Sequence, residues 1–122
     1  MKVAGLGFRA EAEVASLRAA LDAAGGLSGV TALATSEAKA GTAVFLAFAT
    51  ELGLPVVAVS PADLAAQITL TNSTKVREKT GAGSLAEAAA LAALGPDARL
   101  LGPRAVSHDH MATAAIAVRT IG

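Results

Sequence analysis

Short apolar runs alternate with helix-periodic stretches along the whole chain, and the two periods locate its elements. Lys2 to Leu6 is an apolar run ending in Gly5-Leu6-Gly7, which predicts a buried strand entering a tight turn. From Ala10 to Ala24 the period lengthens. Val14, Leu17 and Leu21 share one helical face, Glu11, Arg18 and Asp22 line the other, and Gly25-Gly26 stops the helix. Val30 to Ala34 predicts a second strand. Phe45, Phe48, Ala49 and Leu52 recur at helical spacing and place a helix over Ala43 to Leu52, ended by Gly53. Pro55 to Val59 predicts a third strand. Ser60-Pro61-Ala62-Asp63 then supplies an N-cap, proline at the first helical position and an acid two residues on.

Asn72 to Thr80 is polar, with Ser73 as a cap for a short helix exposing Lys75, Arg77 and Lys79, and Thr80-Gly81-Ala82-Gly83 breaks it. Ser84-Leu85-Ala86-Glu87 is a capping box opening an almost wholly apolar helix to Leu94, closed by Gly95-Pro96. Arg99 to Leu101 predicts a short strand and Thr113 to Val118 a final one. Apolar strands alternating with helices imply an α/β class. The expected architecture is a three-layer α/β/α sandwich around a mostly parallel, mixed sheet of about five strands, with residues 1–122 as a single domain.

Composition narrows the function classes. Lys plus Arg and Asp plus Glu both number 10, so the chain is neutral, which argues against nucleic acid or an anionic membrane as partner. There are no cysteines, excluding thiolate metal sites and disulfides. The hydrophobic fraction of 53% owes much to alanine, and no stretch approaches the ~20 strongly apolar residues of a membrane span. Met1 to Gly7 lacks the apolar core of a signal peptide, so a cytoplasmic location is expected. With no Trp or Tyr, base-stacking platforms are not expected.

Chemistry in such a sheet gathers at the carboxyl ends of strands and at helix N-termini. Gly5-Leu6-Gly7-Phe8-Arg9 follows the first strand, Ser36 to Lys39 the second, Gly81 to Ser84 precedes a helix, and Pro103-Arg104 follows the fourth strand. Open backbone N–H groups with Arg9, Lys39 and Arg104 suit a phosphate or a polycarboxylate. Gly5-x-Gly7-x-x-Ala10, with Glu37 beyond the second strand, also fits the dinucleotide fingerprint in form, although the strands are few for that fold and Glu37 stands far along. Glu87 has two readings, a capping residue or a partly buried acid–base carboxylate. His108-Asp109-His110 can be read as a chelating loop or as a solvated one. No nucleophile elbow is present.

Taken in order, these motifs resemble the CobE family of cobalamin biosynthesis, homologous to the C-terminal domain of CbiG, the cobalt-precorrin-5A hydrolase. The resemblance rests on Val3-Ala4-Gly5-Leu6-Gly7-Phe8-Arg9, Ala34-Thr35-Ser36-x-x-Lys39, Leu52-Gly53-Leu54-Pro55, Ser73-x-x-Val76, the run from Gly81 to Leu91, Pro103-Arg104 and Thr113-Ala114-Ala115-Ile116-Ala117. The chain departs from the family's usual pattern in three places. In the first loop, where a cysteine and a second basic residue are usual, Phe8 precedes Arg9 and Ala10 follows it; Gly41-Thr42 stands where a carboxylate is common, and Pro-Arg replaces Pro-Lys.

The resemblance implies a flat tetrapyrrole ligand, a precorrin or corrinoid fringed with acetates and propionates. Gly5, Gly7, Arg9, Ser36, Lys39, Ser73, Gly81, Gly83, Ser84 and Arg104 are the implied binding residues, with the alanine-rich helix as an apolar floor. Glu87 is the catalytic candidate. A carrier or accessory binder, a hydrolase acting on a precorrin ring lactone, and a nucleotide-binding domain all remain open. No cofactor and no metal are expected. Other cobalamin-pathway enzymes are candidate partners, and alanine-rich faces permit a homodimer without requiring one.

Overall fold

A computed structural model describes residues 1–67, 69 and 84–119. The expected helix with Ser73, Lys75, Arg77 and Lys79, and the glycines Gly81 and Gly83, lie outside the described residues. Strand β1 (Lys2–Phe8) leads to helix α1 (Val14–Ala24), β2 (Val30–Ser36), the single turn α2 (Glu37–Ala40), α3 (Ala43–Leu52) and β3 (Val56–Val59). Then come α4 (Pro61–Ala65), α5 (Leu85–Leu94), β4 (Ala98–Leu100), β5 (Ala105–Val106) and β6 (Ala112–Arg119).

The strands form one mixed sheet in the order β3-β2-β1-β6-β4, with β5 also paired to β6. β1, β2 and β3 run parallel, whereas β6 is antiparallel to β1, β4 and β5. The pleat divides the core in two. Ala4, Leu6 and Phe8 point toward α1 and α3 with Leu17, Leu21, Phe45 and Phe48. Val3, Ala34 and Ala117 point the other way, against Leu64 of α4 and the alanines and leucines of α5. This is the α/β sandwich that the alternating pattern predicts.

Local chemistry accounts for the element ends. Ser60 and Ser84 cap α4 and α5 by accepting the amides of Asp63 and Glu87. Gly53 closes α3 in the left-handed region at φ 68°. Two expectations are corrected, and two short elements are added. The first helix begins at Val14 rather than Ala10, because Arg9 to Ala12 form a turn tied to Met111 by the Arg9 amide. The one-turn α2 and the two-residue β5 are too short to show a period in sequence. Gly5 and Gly7 lie inside β1 rather than in a turn after it, so the strand–turn–helix geometry of a dinucleotide fingerprint is not formed.

What Gly5 does is pack. A Cβ there would stand 2.0 Å from the Ala86 carbonyl oxygen and 2.7 Å from the Ala90 amide nitrogen, so the backbone of α5 rests directly on β1. Gly5→Ala should therefore destabilise by at least the ~1–3 kcal/mol usual for overpacking. Gly41→Ala, where φ is −90° and nothing stands within 4 Å of a Cβ, should fall within ~0.5 kcal/mol of the parent. Urea denaturation midpoints check both, and a Gly5→Ala protein as stable as the parent would mean that α5 can shift off the strand.

Candidate functional site

In a sheet whose connections run one way from β1 to β3 and then cross to β4, a crevice opens beside β1 where the direction reverses. The structure has a cleft of about 700 Å³ at that place. It lies between the carboxyl ends of β1 and β2 on one side and the start of β6, the start of α5 and the β5 region on the other. Phe8, Leu64, Leu85 and Met111 give it apolar surface, and Arg9, Lys39 and Arg104 bring positive charge. Glu37 is the one acid among the described lining residues. Among the described lining residues three cations stand against one carboxylate, a cationic balance in a chain that is neutral overall.

Lys39 owes its place to the start of α2. The Ser36 hydroxyl accepts the Lys39 amide at 3.3 Å, which winds the turn and directs the side chain back over the end of β1. Its Nζ donates to the Phe8 carbonyl oxygen at 2.6 Å and stands 5.0 Å from the centre of the Phe8 ring. The ring lies parallel to that of Phe45, with centroids 5.8 Å apart. An ammonium over an aromatic face is attracted by the ring's quadrupole, which adds to the hold of the Phe8 carbonyl.

The opposite wall comes from a break in the edge strand. Leu100 pairs with Ala117 and Ala105 with Ala114, so the edge advances five residues while β6 advances three. The two surplus residues are taken up by a bulge over Gly102-Pro103-Arg104. Glu87, fully buried in the first turn of α5, accepts the Arg104 amide on Oε2 at 2.7 Å.

His110 and Met111, at the end of the β5–β6 turn, also line the cleft. The Asp109 carboxylate accepts the Ser107 hydroxyl at 2.5 Å, the Ser16 hydroxyl at 2.7 Å and the Met111 amide at 3.1 Å. Ser16 in turn accepts the Glu13 amide at the start of α1, and Ser107 Oγ accepts the Ala112 amide. These donors, the Ser107 hydroxyl foremost, lower the Asp109 pKa from 3.8 to about 2. Asp109 is thus a clamp between the β5–β6 turn and α1, with His108 and His110 exposed on either side. No grouping of three or more metal-ligating side chains occurs among the described residues.

Of the residues expected from sequence, Gly7, Arg9, Ser36, Lys39 and Arg104 meet around this one cleft. Gly5 does not line it, since α5 covers it. Ser84 and Glu87 are buried behind the wall rather than exposed in it. Ser73, Gly81 and Gly83 lie outside the described residues. The alanines of α5 face the sheet, so the apolar floor comes from Phe8, Leu64, Leu85 and Met111 instead. Sequence reasoning passed over Phe8 and Leu64 as site residues because core and floor share one apolar signature. It left His110 undecided, although the residue borders the cleft, its backbone in the left-handed region at φ 59°.

The described residues contain no helix long and apolar enough to cross a membrane. The model of the family described as cobalamin synthesis G C-terminus matches residues 2–117. The crystal structure of CobE, a protein from the cobalamin (vitamin B12) biosynthetic pathway, is similar at a TM-score of 0.81 and 32% identity, over 99% of this chain and 91% of that one. Cobalamin biosynthesis protein chiG from Agrobacterium tumefaciens str. C58 is similar at a TM-score of 0.74 and 35% identity, over 99% and 100% of the two chains. No curated protein sequence matches.

The Asp109 clamp has a definite pH signature. A carboxylate held below its unfolded value contributes stability that is complete above about pH 4 and is lost as pH falls through about 2. The difference in Tm between the parent and Asp109→Asn should be constant from neutral pH down to about 4 and shrink toward pH 2. A thermal-melt series across that range checks it, and a difference that does not vary with pH would remove the carboxylate from the clamp.

Proposed function

The chain belongs to the cobalamin synthesis G C-terminus family of the cobalamin biosynthetic pathway, and on that footing we propose that it binds a precorrin or corrinoid intermediate as a carrier or accessory factor. The observation that carries this reading is the cleft's chemistry. Arg9, Lys39 and Arg104 surround an apolar floor, with Glu37 the one acid among its described lining residues. A corrin precursor presents the complementary pattern, a flat apolar macrocycle with carboxylates around its rim. Arg9 and Lys39 would meet rim carboxylates on the β1–β2 side and Arg104 on the bulge side. The face of the ring would lie against Phe8, Leu85 and Met111.

The binder is favoured over a ring-lactone hydrolase by where the carboxylates stand. Lactone opening needs an oriented water beside a general base and an oxyanion stabiliser. Glu87 is enclosed and holds a main-chain amide on one of its oxygens, while Glu37 is exposed at the opening turn of α2. The cations serve affinity in this reading, and the ligand leaves unchanged for the next pathway enzyme.

Titration of the protein with hydrogenobyrinic acid and earlier precorrins, followed by the pigment's own absorbance, tests the proposal. Binding on the order of micromolar or tighter is expected, weakened by added salt. Lys39→Ala and Arg104→Ala should each cost roughly tenfold in affinity, as the loss of one charge-assisted contact does. Both variants should also show less salt dependence than the parent. Absence of binding to every pathway pigment would overturn the proposal.

A further inference from the structure

We infer that Glu87 is a positioning residue, whose buried carboxylate fixes the main chain at Arg104 and so sets where that guanidinium stands on the cleft rim. This rests on the cleft being the ligand site, and it assigns Glu87 a role that is neither helix capping alone nor acid–base chemistry.

Three observations converge on it. The first is the cost of the arrangement. Glu87 is fully buried, and a carboxylate in that environment is tolerated only with strong hydrogen-bond donors around it. Its Oε2 accepts the Arg104 amide at 2.7 Å, at the short end of the N–H···O range. Its own amide is held by Ser84, so the side chain starts from a fixed helical turn.

The second is what Arg104 would lack without it. The edge strand leaves β6 after Leu101, whose amide reaches the Ile116 carbonyl, and rejoins at Ala105. Between them the chain runs two residues out of register and has no ladder to follow. A bulge of this kind re-aims a side chain only if something holds it. The third is rigidity behind the latch. α5 rests on β1 at Gly5 through backbone contact, so Glu87 cannot follow the loop if the loop moves. The positional information therefore runs from β1 through α5 to Glu87, from there to the Arg104 amide, and out to the cleft.

The acceptor is what matters in this arrangement, and the negative charge is secondary. Glutamine offers a carbonyl oxygen at the same reach, whereas methionine fills a similar volume with no comparable acceptor. A general acid–base role would rank the same variants differently, because glutamine cannot exchange a proton.

The test uses Glu87→Gln, Glu87→Met, Arg104→Ala and the Glu87→Met/Arg104→Ala double variant, titrated with hydrogenobyrinic acid at low and raised salt. Glu87→Gln should bind within about twofold of the parent. Glu87→Met should lose roughly tenfold, matching Arg104→Ala, and its salt dependence should fall to the same slope. The double variant should bind no more weakly than Arg104→Ala alone, since a positioning residue has no effect once the residue it positions is gone. Additive losses, or a Glu87→Gln protein as impaired as Glu87→Met, would overturn the inference. Should Glu87→Met not fold, Glu87→Gln decides, with a tenfold loss refuting and retained affinity supporting. Hydrogen exchange at the Arg104 amide reads the latch without ligand: slow in the parent and Glu87→Gln, fast in Glu87→Met. If no form binds pigment, the carrier reading fails and that exchange pattern still upholds or refutes the latch, fast exchange in the parent refuting it.

Discussion

The contact on which the rest of this molecule depends is the seating of helix α5 on strand β1 at Gly5. With no side chain between them, the Ala86 carbonyl and Ala90 amide approach to distances that even one methyl group would forbid. That depth demands small residues on the helix and its surroundings, which is why Ala86, Ala88, Ala89, Ala90 and Ala117 are all buried there. Alanine richness is in this sense a packing requirement. It also draws the start of α5 into the interior, so that Ser84 and Glu87 are enclosed while Leu85 reaches the cleft wall.

The cleft illustrates how a neutral chain makes a charged site. The formal charges cancel over 122 residues, yet topology gathers Arg9, Lys39 and Arg104 from three separate segments onto one rim. Each cation has a different origin. Lys39 follows from a capped single turn and is held by the Phe8 carbonyl, Arg104 from a bulge, and Arg9 from the turn after β1. Placement on main-chain irregularities lets these side chains converge without any of them occupying a regular position in the sheet.

Much of the fold was legible because its signals were local. The Ala43–Leu52 helix, the Ser60 and Ser84 caps and the apolar runs of β1, β2 and β3 carry their own period or capping chemistry and appear where that chemistry places them. The cleft's cations were legible too, since strand-to-helix junctions concentrate ligand contacts. What escaped was set by distant partners. Gly5 has the same local signature whether it makes a turn or admits a helix, and only α5, some 80 residues on, decides between them. Glu87 has a capping position in sequence, but its partner amide lies 17 residues away across a register slip that no periodicity reports. Asp109 reads as part of a His-Asp-His triplet, whereas its bond to Ser16 spans 93 residues.

The same interruption that carries Arg104 to the cleft alters what the sheet can offer to other chains. A long, regular edge exposes a row of unpaired amides and carbonyls that can recruit a foreign strand. Among the described residues the β6-side edge consists of three residues, a detour and two more, and the strand at the opposite end of the order, β3, has four. A strand from another molecule laid along the broken edge would find its hydrogen-bonding register offset by two residues midway. An alanine-rich, strongly apolar chain therefore carries protection against edge-to-edge association in the very segment that shapes its cleft.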